Sequence, residues 1–316
     1  MSILRTILLL ALAIPWAFGA VRAQEAATLI AQGDSLLAAH ENGKAMAKFN
    51  AAMALAPTAD AFAGRARGWF QLAKYDKFLE DVHKALALDS LHGQANYQRA
   101  LFALRAEDHQ RAIQFASRVV NGDQPEPLRR QALIVRGEAE AAAGASRRAI
   151  DDLRNGLADH CDDLPAMKTL ARMYDAAGSP DSSLHILEKL CELQPDDIGN
   201  WSNRGFELNR LERFSESIAM LDRALALDKD EPVVLSNKAY ALLKLGHDAE
   251  AFSTVERSLS ADRSNPFALR TRALLWLRKG ELDKACNDLT LAKALGGAPE
   301  VDALVKQHCS GMRSNR

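Results

Sequence analysis

The chain repeats itself every 34 residues, and that period restricts it to very few architectures. "WSNRGFELNRLERFSESIAMLDRALALD" begins at Trp201, and "LSNKAYALLKLGHDAEAFSTVERSLSAD" begins 34 residues later at Leu235. Both run Ser-Asn-basic-small, then a Leu, a turn, and an apolar stripe that ends on Asp. Extending the frame gives eight units, starting near Ala26, Ala59, Gly93, Arg130, Leu164, Ile198, Pro232 and Pro266. The steps are 33, 34 and 37 residues, then 34 throughout. The long step coincides with "NGDQPEPLRR", where Pro125 and Pro127 are expected to mark an extended turn. A unit of this length cannot bury its apolar face alone, so neighbours must stack and share a continuous core.

Within the frame the eighth position is Gly33, Ala66, Ala100, Gly137, Ala171, Gly205, Ala239 and Ala273. The twentieth is small in every unit except the second, which has Phe78. The twenty-fourth is apolar throughout, from Phe49 and Val82 to Val255 and Leu289. Small residues let two helices approach closely, and the larger apolar ones fill the space beside the contact. Pro57, Pro195, Pro232 and Pro266 fall at unit junctions, where one helix stops and the next begins. An aromatic content of 6% also suits closely packed helices better than a sandwich of sheets.

A 34-residue helix-turn-helix unit with small residues at 8 and 20, an aromatic or aliphatic at 24 and Pro near 32 resembles the tetratricopeptide repeat. The resemblance covers roughly residues 26–299, and the sixth unit carries it best, with Trp201, Gly205, Phe214, Leu221 and Ala224. It implies an all-α fold, a right-handed α-solenoid of about eight helix-turn-helix units. "GGAPEVDALVKQHC" places Val301, Leu304 and Val305 at helical spacing, so a capping helix is expected over 299–309. Residues 310–316 are expected to be a disordered tail.

Residues 1–23 read as a signal peptide. Arg5 precedes a 12-residue apolar run from Ile7 to Phe18, and Val21-Arg22-Ala23 suits cleavage before Gln24. The run is shorter than a membrane span and carries Pro15, so no stable membrane insertion is expected after cleavage. The chain is therefore expected to be exported, to a periplasm or to the outside of the cell. In an oxidising compartment four cysteines read as disulfides. A cap folded antiparallel onto the last repeat would bring Cys309 back to Cys286. Cys161 and Cys191 both fall near ends of second helices, in the fourth and fifth units. The expected bridges are Cys161–Cys191 and Cys286–Cys309. His160 and His308 each precede a Cys, but the spacings match no standard zinc pattern, and no metal is expected.

Chemistry is not signalled elsewhere. Hydrolase, zinc-protease, P-loop and dinucleotide motifs are missing, so neither a catalytic residue nor a cofactor is expected. A formal net charge of −1 with mixed signs excludes the basic footprint of a nucleic-acid binder. Arg at position 7 recurs with Asp at 23, as Arg65 with Asp81, Arg136 with Asp152 and Arg272 with Asp288, and reads as framework. In the tetratricopeptide family, positions 2, 5, 6, 9, 12 and 13 of the first helix face a groove. Units 1–4 place a partly apolar set there, such as Ile30, Phe70, Tyr97 and Ile134. Units 5–8 present Lys168, Arg172, Asn203, Phe206, Asn209, Arg210, Asn237, Tyr240, Lys244, Phe267, Arg270 and Arg278. Basic groups, amides and rings in one groove suit an extended peptide held by its backbone and carboxylates. Only two positions match the family's five-residue carboxylate clamp, so a chaperone-tail receptor is disfavoured. The expected function is a non-enzymatic scaffold for a protein or peptide partner in a bacterial cell envelope. The alternatives are a structural component acting through its convex face or ends, and an enzyme or metal protein.

Overall fold

The computed structural model describes residues 21–158, 162–296 and 298–309. All regular structure among the described residues is α-helical, in seventeen helices, so the expected all-α class is the observed one. Their contacts divide the chain into two compact units, residues 1–162 and 163–316. The first contains four helical hairpins. These are α1 (21–38) with α2 (Asn42–Leu55), α3 (Ala59–Gln71) with α4 (Tyr75–Leu88), α5 (Gly93–Arg105) with α6 (His109–Val120), and α7 (Glu126–Ala142) with α8 (Ser146–Leu157). The second contains α9 (Leu164–Ala176) with α10 (Pro180–Leu193), α11 (Ile198–Arg210) with α12 (Phe214–Leu227), α13 (Pro232–Lys244) with α14 (Asp248–Ala261), and α15 (Pro266–Arg278) with α16 (Leu282–Leu295). A short last helix, α17 (Val301–His308), follows.

Small residues set the helix spacing inside each hairpin. A Cβ added to Gly205 would lie 2.6 Å from Leu221 Cγ, one on Gly137 2.8 Å from Leu153 Cγ, and one on Gly33 2.5 Å from the Phe49 ring. Position 8 thus lies directly beneath the apolar side chain at position 24. Where position 20 is Ser, its hydroxyl donates to the position-8 carbonyl. Ser217 Oγ is 2.8 Å from Gly205 O, and Ser183 Oγ is 3.1 Å from Ala171 O. Phe78, the bulky exception, stacks instead with Phe70 and Phe102 at 5.2 and 5.4 Å.

The turn inside every hairpin passes through the left-handed region at one phase of the period. Gly144, Gly178, Gly246 and Gly280 occupy it at φ of 78, 71, 81 and 78°, and His40, Ala73, Glu107 and Glu212 occupy it at 55 to 59°. Glycine takes this conformation without strain, and the other four residues do so at a cost.

The Arg–Asp pairs are bidentate bridges between the two helices of one hairpin. Arg65 reaches Asp81 at 2.7 and 2.8 Å, Arg136 reaches Asp152 at 2.5 and 2.9 Å, and Arg272 reaches Asp288 at 2.8 and 2.7 Å. The same position also contacts the preceding hairpin, through Arg204–Glu188, Lys238–Asp222 and Arg272–Glu256. A repeated ladder of this kind is framework, and its residues are occupied.

At the long step the structure differs from the expected extended turn. Pro125 precedes α7, and Pro127 lies inside its first turn. Proline is tolerated there because the first turn's N–H groups have no intrahelical acceptor to lose. The additional residues make α7 17 residues long, where α3, α5, α9, α11, α13 and α15 have 13 each.

The apolar core of the second unit runs from Ala239 on α13 through α16 to Val301, with Leu304, Val305 and Cys309 packed against it. Cys286 and Cys309 are bonded, with Cα atoms 5.6 Å apart, so α17 is tied to α16. Cys191 is buried, and burial pushes its thiol up to about 11. Its expected partner Cys161 lies outside the described residues, as do most of the signal-peptide segment (1–20) and the tail 310–316. The cleavage point after Ala23 falls in the first turn of α1. Among the described residues no helix is long and apolar enough to cross a membrane.

Candidate functional site

In the second unit, the first helices of successive hairpins line two neighbouring cavities. One, of about 400 Å³, is bounded by Lys168, Thr169, Arg172 and Asp175 of α9, Ser183 and Leu187 of α10, and Asn200, Asn203, Phe206 and Glu207 of α11. The other, of about 370 Å³, is bounded by Phe206, Asn209 and Arg210 of α11, Asn237, Tyr240 and Lys244 of α13, and Phe267 and Arg270 of α15. Glu212, Phe214, Pro299 and Glu300 complete it. Phe206 belongs to both. Side chains 34 residues apart converge here because each first helix carries the same face in the same register.

Eleven of the twelve residues singled out in the sequence line these two cavities. Arg278 lines neither and pairs with Asp248. Position alone did not reveal the electrical state of the others. Lys168 Nζ is 2.6 Å from Asp197 Oδ2, and Arg210 pairs with Asp175 and with Glu207. Among the described residues Arg172 and Lys244 have no ion pair; both are exposed, and the Lys244 ammonium lies 5.3 Å from the Tyr240 ring centre. Arg270 is buried. Its guanidinium carbon is 4.6 Å from the Tyr240 ring centre and 5.9 Å from that of Phe267. Asn209 and Asn237 are also buried, and the Asn209 amide nitrogen donates to the Asn237 carbonyl at 3.0 Å, joining α11 to α13.

Four carboxylates on these walls, Asp175, Glu207, Glu212 and Glu300, are not among the residues that the sequence singles out. Asp175 occupies position 12 of its unit, a groove position, and the register could have found it. Glu207 falls at position 10 and carries no such signal. Burial, followed by the nearby Asp175 carboxylate, pushes Glu207 up to about 7, against the pull of Arg210. Glu300 arrives from the segment before α17, beyond the last repeat. The groove is therefore mixed in charge, not simply basic.

The first unit holds a third cavity of about 390 Å³ with apolar walls from Leu37, Phe70, Phe78, Tyr97 and Leu101. Arg67, also on its wall, is occupied by Asp34. Of the partly apolar residues expected in this half, Phe70 and Tyr97 line the cavity, whereas Ile30 packs into the α1–α2 core and Ile134 is buried. Among the described residues no cluster of three or more His, Cys, Asp and Glu side chains is arranged to hold a metal ion.

No family model and no curated protein matches the chain by sequence. Solved structures do match it by fold. YrrB, described as a TPR protein with an unusual peptide-binding site, superposes with a TM-score of 0.56 at 14% identity, over 60% of this chain and 97% of its own. A structure of MamA superposes with a TM-score of 0.50 at 22% identity, over 55% of this chain and 94% of its own. At these identities the likeness concerns the backbone: paired helices stacked at a fixed period.

Proposed function

Since the chain has the tetratricopeptide-repeat fold, we propose that it is a non-enzymatic scaffold that binds a protein or peptide partner in the groove of its second unit. The observation that carries this reading is the convergence of α9, α11, α13 and α15 on two adjoining cavities that share Phe206. Rings, amides and unspent cations lie together there, and an extended chain has backbone groups and side chains that suit each of them. The peptide-binding description of YrrB adds weight, at the level of fold alone. The N-terminal apolar run places the working site, in this proposal, in a bacterial cell envelope.

The test is partner capture from an envelope fraction by the wild-type chain and by Arg172→Glu/Lys244→Glu. Both replaced residues are exposed and unpaired among the described residues, so the variant should stay folded. A captured protein is then purified, and its rebinding is measured. A loss of tenfold or more in the variant supports the groove. Equal rebinding would move the interaction to the convex face or the ends. Detection of the full-length chain with residues 1–23 still attached, in the cytoplasmic fraction, would overturn the location.

A further inference from the structure

Of the five cations on the walls of the two cavities, Arg270 has the least compensation. Lys168 and Arg210 are paired with carboxylates, and Arg172 and Lys244 are exposed. Arg270 is only 6% exposed, yet among the described residues no carboxylate oxygen lies within ion-pair distance of it. Its Nη1 makes a long hydrogen bond, 3.5 Å, to Pro299 O, and its Nε is buried with no acceptor among the described residues. The faces of Tyr240 and Phe267 offset part of the desolvation of the guanidinium. A buried charge normally requires a hydrogen-bonded counter-ion as well. Glu300, on the same cavity, attracts Arg270 without reaching it.

A complementary vacancy lies on the same walls. Asn209 is 7% exposed, and its Nδ2 is committed to Asn237 O, which fixes the orientation of the amide. Its Oδ1 is buried without a donor among the described residues. One cavity thus has an unmet donor on a cation and an unmet acceptor on an amide. We infer that this cavity binds a carboxylate of an extended peptide, with the carboxylate on Arg270 and a peptide N–H donated to Asn209 Oδ1. The inference rests on the groove reading above and names the ligand group that the groove selects. The carboxylate belongs either to the C-terminus of the ligand or to a Glu or Asp side chain. The Pro299–Glu300 wall precedes α17, which Cys286–Cys309 and the packing of Val301 both hold against the last repeat.

The experiment uses the oxidised full chain and three dye-labelled hexapeptide pools read by fluorescence anisotropy. One lacks Asp and Glu and has a free C-terminus, the second is the same pool amidated, and the third is amidated with one Glu. At least one carboxylate-bearing pool should bind ten times more tightly than the neutral pool, and the free-acid and Glu pools distinguish the two sources. Arg270→Gln should abolish that preference, and Glu300→Gln, which removes the competing carboxylate, should strengthen it. Should Arg270→Gln fail to fold, the Arg270 Nε–H resonance of the wild-type chain replaces it and should move with the carboxylate pools alone. Equal binding of all pools, or a preference that survives Arg270→Gln, would overturn the inference. If that equal binding is lost in Phe206→Ala, the groove reading stands without it. Binding of no pool also overturns it, and partner capture then still decides whether the groove receives a folded protein.

Discussion

Replacing Glu207 with Gln probes the electrostatics of the second unit's groove through stability alone. Glu207 is 2% exposed, and burial together with Asp175 raises its carboxyl from near 4.5 to about 7. Below pH 4.5 the folded and unfolded chains both hold the proton, and the group adds no pH dependence. As pH rises past 4.5 the unfolded chain releases its proton while the fold retains its own, so stability falls. The fall ends near pH 7, where the folded carboxyl ionises too. At ~1.4 kcal/mol per pH unit the interval amounts to ~3 kcal/mol. Gln has nearly the shape of the protonated acid and cannot ionise, so it removes this loss. Between pH 5 and pH 8 the stability of Glu207→Gln relative to wild type should rise by ~2–3 kcal/mol. Urea denaturation of both proteins at each pH, followed by circular dichroism, measures that change. Titrating groups that do not act on Glu207, such as the buried Glu140 of the first unit, cancel in the difference. A relative stability that is the same at pH 5 and pH 8 would refute the assignment of a protonated carboxyl to this site.

Gly205→Leu drives a side chain into Leu221, whose Cγ already lies 2.6 Å from where a Cβ would stand, and should lower stability by ~2 kcal/mol or more. Gly205→Ala should be nearly neutral, because a gain of ~1 kcal/mol in helix propensity offsets the crowding, and Ala171 and Ala273 occupy the same phase above Leu187 and Leu289; thermal melts of the two variants test the contrast. Glu212 holds a left-handed turn that four other units give to Gly, so Glu212→Gly should stabilise by ~1 kcal/mol in the same assay. Cys286→Ser/Cys309→Ser opens a loop with a sequence separation of 23 and should cost the last repeat ~3 kcal/mol, read as earlier loss of amide protection in α16 and α17. The oxidised chain should weigh about 4 Da less than the reduced one if Cys161 and Cys191 are also joined, and about 2 Da less if they are not.

Much of the fold can be read in the period because the same physical problem is solved once per unit. Gly205 must be small since Leu221 covers it, and the Arg272–Asp288 bridge recurs as Arg65–Asp81 and Arg136–Asp152 because hairpin geometry recurs. Period and residue size therefore determined that the chain is a stack of close helical pairs, and register indicated which faces of α9, α11, α13 and α15 look the same way. The left-handed turn left only a partial trace, since four of its eight positions are not glycine. Tertiary structure alone decided the state of each charge. Arg210 and Arg270 are both basic residues on groove helices, yet Arg210 is paired with Asp175 and Glu207 while Arg270 lies buried near two rings. That difference depends on which carboxylates neighbouring helices bring within reach, and on a wall supplied by Pro299 and Glu300 from outside the repeats. Spacing along a chain reports how one helix meets its own partner. Charge compensation and burial depend on distances across the stack, which the repeat pattern leaves unspecified.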